Sequence, residues 1–348
     1  MLQTKQSILT LIARFIVGVV LALLISQTWL KYSSSNAATA FTQLCLQKQQ
    51  LSESSQYTVS LLLNQVQTTD CFVASSQLAK VHELDLSHTN IQDLTPLASL
   101  NQLTKLYLAD NQISDITPLT ALTQLTTLEL SNNQITDISA LSEMKTLTTL
   151  WMWNNQVEDL TPLSSLAALN RLYVPFNKIS DLTPLSSLKN IEVLILDTNE
   201  VRDISSLSNL DNLKGISLIN NSIENLEPLS NLTKLQTLIV SKNKISNVSP
   251  LSQVSSLKNL IIDDNNVSNL QPLSLLKDIK LLYLHNNNIN DIQPLSHLQT
   301  LSELKLQNNK IIDLSSLSSL KKLKVLNVAN NPLKSLICPV EPSSVCEF

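Results

Sequence analysis

Leucines separated by one variable residue, as in Leu128-Glu129-Leu130, return along this chain every 22 residues. With Leu128 as the marker, the slot is filled by Leu84, Leu106, Leu128, Leu150, Leu172, Leu194, Ile216, Leu238, Leu260, Leu282, Leu304 and Leu326. That is twelve registers without an insertion or deletion. Period-two alternation predicts a short strand with one buried face. A fixed period of this length predicts a solenoid of stacked coils. Three residues beyond the second leucine stands Asn133. The same slot holds Asn111, Asn155, Asn177, Asn199, Asn221, Asn243, Asn265, Asn287, Asn309 and Asn331, with Thr89 in the first register. A strand that ends in a tight turn leaves backbone groups that need partners once buried. An inward amide both donates and accepts, so the column predicts a buried asparagine ladder joining neighbouring coils.

After the ladder come an apolar residue, an acid or amide and another apolar residue, as in Ile135, Asp137 and Ile138. Most repeats then continue Thr/Ser-Pro-Leu. Proline fills eight of the eleven equivalent positions, namely 96, 118, 162, 184, 228, 250, 272 and 294. An acid or amide ahead of a proline-started turn is helix-capping chemistry, and Asp115, Asp137, Asp159, Asp181 and Asp203 form such a column. The segment left before the next strand is too short for a long helix, so one helical or 3-10 turn is expected on the outer side of each coil. A single coil cannot enclose its own apolar residues, so stability must come from stacking, with covers at both ends.

These residues resemble the 22-residue leucine-rich repeat of the bacterial internalins, LxxLxLxxNxIxDIxPLxxLxx, over roughly three quarters of the chain, from about Val81 to Leu336. The resemblance implies an α/β leucine-rich repeat solenoid. This is a curved rod with a parallel sheet on its concave face and short 3-10 or helical turns on its convex face. It also implies a protein-binding scaffold, since internalins are surface proteins that grip a partner on the concave face. The chain departs from the sortase-anchored internalins in ending Ser343-Ser344-Val345-Cys346-Glu347-Phe348, without an LPxTG-like signal.

Outside the repeats the pattern changes. Lys5 and Arg14 lead into an apolar run from Phe15 to Ile25, followed by a small polar tract, Ser33 to Ala40. This reads as an export signal. Ala38-Thr39-Ala40 resembles a cleavage site. Uncut, Ile8 to Leu30 is long enough to span a bilayer with its basic end in the cytoplasm, and the distance of the site from the apolar core favours that anchor. Tyr57 to Val66 and Asp70 to Ala79 read as a helical pair that covers the first coil. The expected domains are therefore 1–40, signal or anchor with linker; 41–80, helical cap; 81–337, twelve repeats; and 338–348, C-terminal cap. All four cysteines lie outside the repeats. Of three possible pairings, locality favours Cys45–Cys71 and Cys338–Cys346, one closing each cap in an oxidising compartment.

The net charge is −4, and −7 once residues 1–40 with Lys5, Arg14 and Lys31 are removed, so no basic stripe for nucleic acid is expected. Two glycines, Gly18 and Gly215, stand alone and exclude nucleotide-binding glycine loops. His82, His88, His285 and His297 lack any ligand spacing and read as solvated surface. The doublet Asp263-Asp264 is weak evidence for a cation. No GxSxG elbow or other catalytic constellation is present, so neither enzyme activity, cofactor nor metal is expected.

The informative positions are the outward ones on the strands. Six aromatic residues fall inside the repeats, and all take strand or strand-exit slots: Tyr107, Trp151, Trp153, Tyr173, Phe176 and Tyr283. Ile195, Ile219, Ile239 and Ile261 extend them, so registers four to nine are expected to present a contiguous apolar strip flanked by Arg171, Asp197 and Lys242. Such strips mark interaction sites. Pro175, which lacks an N–H, is expected to open the sheet beside Trp153 and Phe176. The reading is an extracytoplasmic, monomeric scaffold that binds a protein on this strip. Two rivals remain. One is an intracellular scaffold resembling the leucine-rich repeat regulators of phosphatases, which the signal-like N-terminus and the cap cysteines oppose. The other is a glycan-binding module, since Trp151, Trp153 and Tyr173 are residue types that stack on sugar rings.

Overall fold

The computed structural model describes residues 40–348. Apart from Ala40, the export or anchor segment read over residues 1–40 lies outside the described residues. Among the described residues no helix is long and apolar enough to cross a membrane.

Each marker leucine sits at the centre of a three-residue strand, from β1 (Glu83–Asp85) to β12 (Val325–Asn327). A thirteenth, β13 (Cys346–Glu347), adds to the end. All thirteen form one sheet in chain order. Pairing is parallel and keeps marker opposite marker, as with Leu84 and Leu106, Leu150 and Leu172, and Ile216 and Leu238. Because the side-chain period of a strand is two, this register puts Leu128 and Leu130 inside and Glu129 outside. Leu125, Ile135, Ile138, Leu141, Met144 and Leu147 complete the interior of that coil, and one continuous core runs through every coil and into the N-terminal cap.

Eleven 3-10 turns, from Thr95–Leu97 to Ser315–Ser319, connect each strand to the next across the opposite side. Proline starts eight of them, but Ser139–Glu143, Ser205–Leu207 and Ser315–Ser319 form without it, each burying its leucine. Proline therefore assists this turn without being required. The acidic column acts one residue earlier than a standard cap: Asp115 Oδ1 accepts the N–H of Thr117 at 2.8 Å, and Asp181 Oδ1 that of Thr183 at 2.8 Å. Hydrogen bonds from Thr161, Thr183 and Ser205 hold Asp159, Asp181 and Asp203 below the ordinary aspartate range.

The inward amides bridge the coils. Asn177 Nδ2 donates to Val174 O and Pro175 O of its own turn, both at 3.2 Å, and to Met152 O of the preceding coil at 2.9 Å. Its Oδ1 accepts Val157 N–H at 3.0 Å. The same set recurs from Asn111 to Asn331. In the first coil Thr89 has only a hydroxyl, which donates to Leu86 O at 2.6 Å.

The N-terminal cover has three helices where the pattern predicts two: α1 (Ala40–Leu46), α2 (Glu53–Gln65) and α3 (Cys71–Leu78). Helix α2 starts four residues ahead of expectation because Ser52 caps it, its hydroxyl accepting Ser55 N–H at 3.1 Å. Asp70 caps α3 through Phe72 N–H and Val73 N–H. Phe41, Val59, Leu62, Ala74 and Leu78 plug the open end of the core. Cys45–Cys71 ties α1 to α3, and Cys338–Cys346 closes the last loop. That loop is more ordered than a breaker-rich tail suggests, since β13 pairs with β12 and Val328 N–H donates to Glu347 O at 2.8 Å.

Candidate binding face on the sheet

Three outward columns run along the sheet. The first, on the strands themselves, reads Tyr107, Glu129, Trp151, Tyr173, Ile195, Ser217, Ile239, Ile261 and Tyr283, paired one to the next. The second lies two residues further on, with Trp153, Pro175, Asp197 and Ile219. The third is the next residue again, with Phe176, Thr198 and Lys242.

Trp151 and Tyr173, on β4 (Thr149–Trp151) and β5 (Arg171–Tyr173), stack with ring centroids 5.5 Å apart and an interplanar angle of 12°. Neither tryptophan enters the core. Trp151 is half-buried by its neighbours, Trp153 is 39% exposed and Phe176 53%. Ile195, Ile219, Ile239 and Ile261 are half-buried, and Arg171 and Lys242 are exposed.

Every third-column residue from His88 to Asn330 has positive φ, between 52° and 58°. Asn or Asp suits that left-handed conformation and fills most of the coils. Phe176, at φ 55°, carries a bulky ring in backbone that disfavours it, at a cost of about 1 kcal/mol. Thr198 and Lys242 share this backbone, but only Phe176 carries a phenyl ring there, with about half of it facing solvent.

Three expectations change. The strip is not one unbroken column: buried Ser217 interrupts it at the seventh register, and Ile219 crosses the gap from the second column. Asp197 is a structural acceptor more than a flank. Its Oδ1 takes Ile219 N–H at 2.8 Å and the Ser217 hydroxyl, and burial pushes its carboxyl up despite those bonds. Pro175 does not open the sheet. On either side Asn154 N–H donates to Pro175 O and Phe176 N–H to Asp197 O, both at 2.9 Å. The N–H of a second-column residue takes no part in the backbone ladder, and in Trp153 and Ser131 it turns to a side chain, Ser131 Oγ and Glu129 Oε1. A residue with no N–H therefore fits there at no cost in strand pairing.

Tyr107 stands apart from the patch, with Glu129 between it and Trp151. Burial pushes the Glu129 carboxyl up, against the hydrogen bonds from Ser131. At the far end, Tyr283 donates to Glu303 Oε2 at 2.8 Å and lies under Lys305 Nζ, 4.1 Å from the ring centroid. Burial, and then Glu303, push its hydroxyl up to about 12. His285 is not solvated surface: its Nε2 lies 3.3 Å from Asp263 Oδ2. These two residues are 22 apart in sequence, and only aligning the repeats by register puts them side by side.

The family described as "Leucine Rich repeats (2 copies)" matches residues 80–121, 123–165 and 299–340. Among solved structures, an internalin, InlF, from Listeria monocytogenes is 27% identical with a TM-score of 0.75, covering 82% of this chain and 93% of that one. A Leptospira interrogans leucine-rich repeat protein shares the fold at 22% identity and TM-score 0.61, covering 75% and 81%. So does the ectodomain of the Arabidopsis thaliana receptor kinase GASSHO1/SCHENGEN3, solved in complex with CASPARIAN STRIP INTEGRITY FACTOR 2. It matches at 22% identity and TM-score 0.61, covering 75% of this chain and 40% of that one. Among curated proteins nothing matches. Stacked 22-residue coils, an asparagine ladder and 3-10 turns behind a parallel sheet define a leucine-rich repeat protein. The chain is an internalin-like leucine-rich repeat protein.

Proposed function

We propose that the protein is an extracytoplasmic scaffold that binds a protein partner through the sheet face, centred on Trp151, Trp153, Tyr173 and Phe176. The observation that carries this is the Trp151–Tyr173 stack beside a solvent-facing Phe176 on strained backbone. Aromatic residues of this kind dominate the energetics of protein interfaces. Ile195, Ile219, Ile239 and Ile261 extend the surface as apolar area, and Arg171 and Lys242 offer charge at its margin. A protein partner suits it better than a sugar. Each ring of the stacked pair already spends one face on the other, and the isoleucines offer no plane for a sugar ring. A receptor ectodomain of this fold was solved in complex with CASPARIAN STRIP INTEGRITY FACTOR 2. A disulfide in each cap, Cys45–Cys71 and Cys338–Cys346, supports an oxidising compartment. The site binds without chemistry of its own and without a cofactor.

The test is affinity capture with the wild-type chain and with a Trp151→Ala, Tyr173→Ala double variant, followed by titration calorimetry with the partner recovered. The double variant should weaken binding by at least about 2 kcal/mol, roughly thirtyfold. Equal affinity in the two proteins removes the site.

A further inference from the structure

We propose that Asp263, Asp264 and His285 form a binding site for a divalent transition-metal ion of the zinc type on the sheet face. It lies five coils from Trp151 and is independent of the aromatic patch. Asp263 and His285 hold the same slot of successive coils, just beyond β9 (Asn259–Ile261) and β10 (Leu281–Tyr283), and Asp264 follows at φ 52°. One ligating atom of each lies within 4.8 Å of the other two.

His285 Nε2 and Asp263 Oδ2 are 3.3 Å apart. That exceeds the ~2.7–2.9 Å of a charge-assisted hydrogen bond. It matches the ~3.3–3.4 Å between two donors on a tetrahedral ion whose bonds are ~2.0–2.1 Å. A second layer orients each carboxylate. The Ser241 hydroxyl donates to Asp263 Oδ1 at 2.6 Å, and Asn286 Nδ2 donates to Asp264 Oδ1 at 2.7 Å. In both acids the other oxygen is left for an ion, the arrangement that outer hydrogen bonds give to metal-binding carboxylates.

A separate observation concerns the imidazole. Three buried side-chain polar atoms lack a partner among the described residues, and two of them, His285 Nδ1 and Gln307 Oε1, occupy the same slot of adjoining coils. An ion on Nε2 fixes the proton on Nδ1, and a metal-bound histidine needs an acceptor for that proton. His285 Nδ1 and Gln307 Oε1 make no hydrogen bond to each other, so a proton fixed on Nδ1 would need a small turn of the Gln307 amide to meet its acceptor. One imidazole nitrogen with two carboxylate oxygens suits zinc and its neighbours, whereas calcium takes six to eight oxygens. The Asp263 and His285 side chains are 11% and 24% exposed, so the site is reachable from solvent.

The test is calorimetric titration of the untagged full chain with zinc, with cobalt absorption as a spectroscopic readout. One saturable zinc site per chain is expected, with calcium failing to compete. His285→Gln and Asp264→Asn should each weaken binding at least tenfold. His88→Gln is the matched control. His88 Nδ1 lies 3.3 Å from Asp110 Oδ2, but His88 is exposed and among the described residues no third donor joins the pair. Zinc binding by His88→Gln should be unchanged. Asp264→Asn should unfold at the wild-type temperature without metal, which separates a lost ligand from a lost fold. Absence of saturable binding, or equal affinity in His285→Gln, overturns the proposal.

Discussion

Two columns of side chains run side by side along the rod, and Trp153 and Asn155 stand for them within one coil. The column of Asn155 holds asparagine in eleven of twelve coils, while that of Trp153 holds Ser, Ala, Trp, Pro, Asp, Ile, His and Gln. The inner position must satisfy the carbonyls of two turns and one N–H, and only a primary amide meets all of them in that space. The outer position has no backbone duty common to every coil, although Asp197 and Ser131 each accept a neighbour's N–H there, so composition is freer to follow what the face must touch. Constancy in this fold therefore reports structural need, and departure from the common residue reports a demand from outside.

That contrast can be broken by substitution. Asn177→Ala should cost about 3 kcal/mol, because several buried backbone groups lose their partner at about 1–3 kcal/mol each. Urea unfolding measures it, and a loss below about 1 kcal/mol would show that the ladder is dispensable. The Trp151→Ala, Tyr173→Ala variant should lose about 2 kcal/mol of stability, one aromatic pair plus part of the half-buried ring area, while losing its partner. Phe176→Asn should gain about 1 kcal/mol, since asparagine suits φ 55°, and the same change should weaken binding. A stability loss there would mean that the phenyl ring packs to structural purpose. The smallest effect concerns Glu129, whose carboxyl burial holds above the ordinary 4.5. A carboxyl with a raised folded-state value stabilises the fold when protonated. That contribution is present at low pH and is lost as pH rises from 4.5 through the raised value. Glu129→Gln keeps an oxygen for Ser131 N–H and should flatten that fall, read as the pH dependence of the urea midpoint.

The interior was the most legible part of the molecule. Leucines at fixed spacing carry their burial in the pattern itself, and the Asn111 to Asn331 column announces both its place and its partners. Elements without the period were harder. Helix α1 lies where an export-like segment gives way to the cap, and seven residues hold too little periodicity to stand out. Strand β13 is two residues long, and only its pairing with Leu326 and Asn327 defines it. On the face, residue type marked Trp151, Tyr173 and Phe176 correctly as outward-facing. It could not tell that Asp197 serves Ile219 N–H, nor that Pro175 sits where no N–H is needed, because both depend on which way a backbone group turns. Asp263 and His285 lie 22 residues apart, and only stacking the coils by register brings them together.

The short strand at the C-terminus has a consequence for how the molecule behaves in a crowd. A parallel sheet ending at β12 would present a bare row of donors and acceptors, a template onto which another rod could dock and extend into a filament. The pairing of Cys346 and Glu347 with Leu326 and Asn327, fastened through Cys338, occupies that row in advance. At the other pole three helices cover the end of the core, and Gln65 Nε2 donates to Asp85 O at 3.2 Å. Both ends of the 22-residue series therefore carry covers that the repeat itself does not supply.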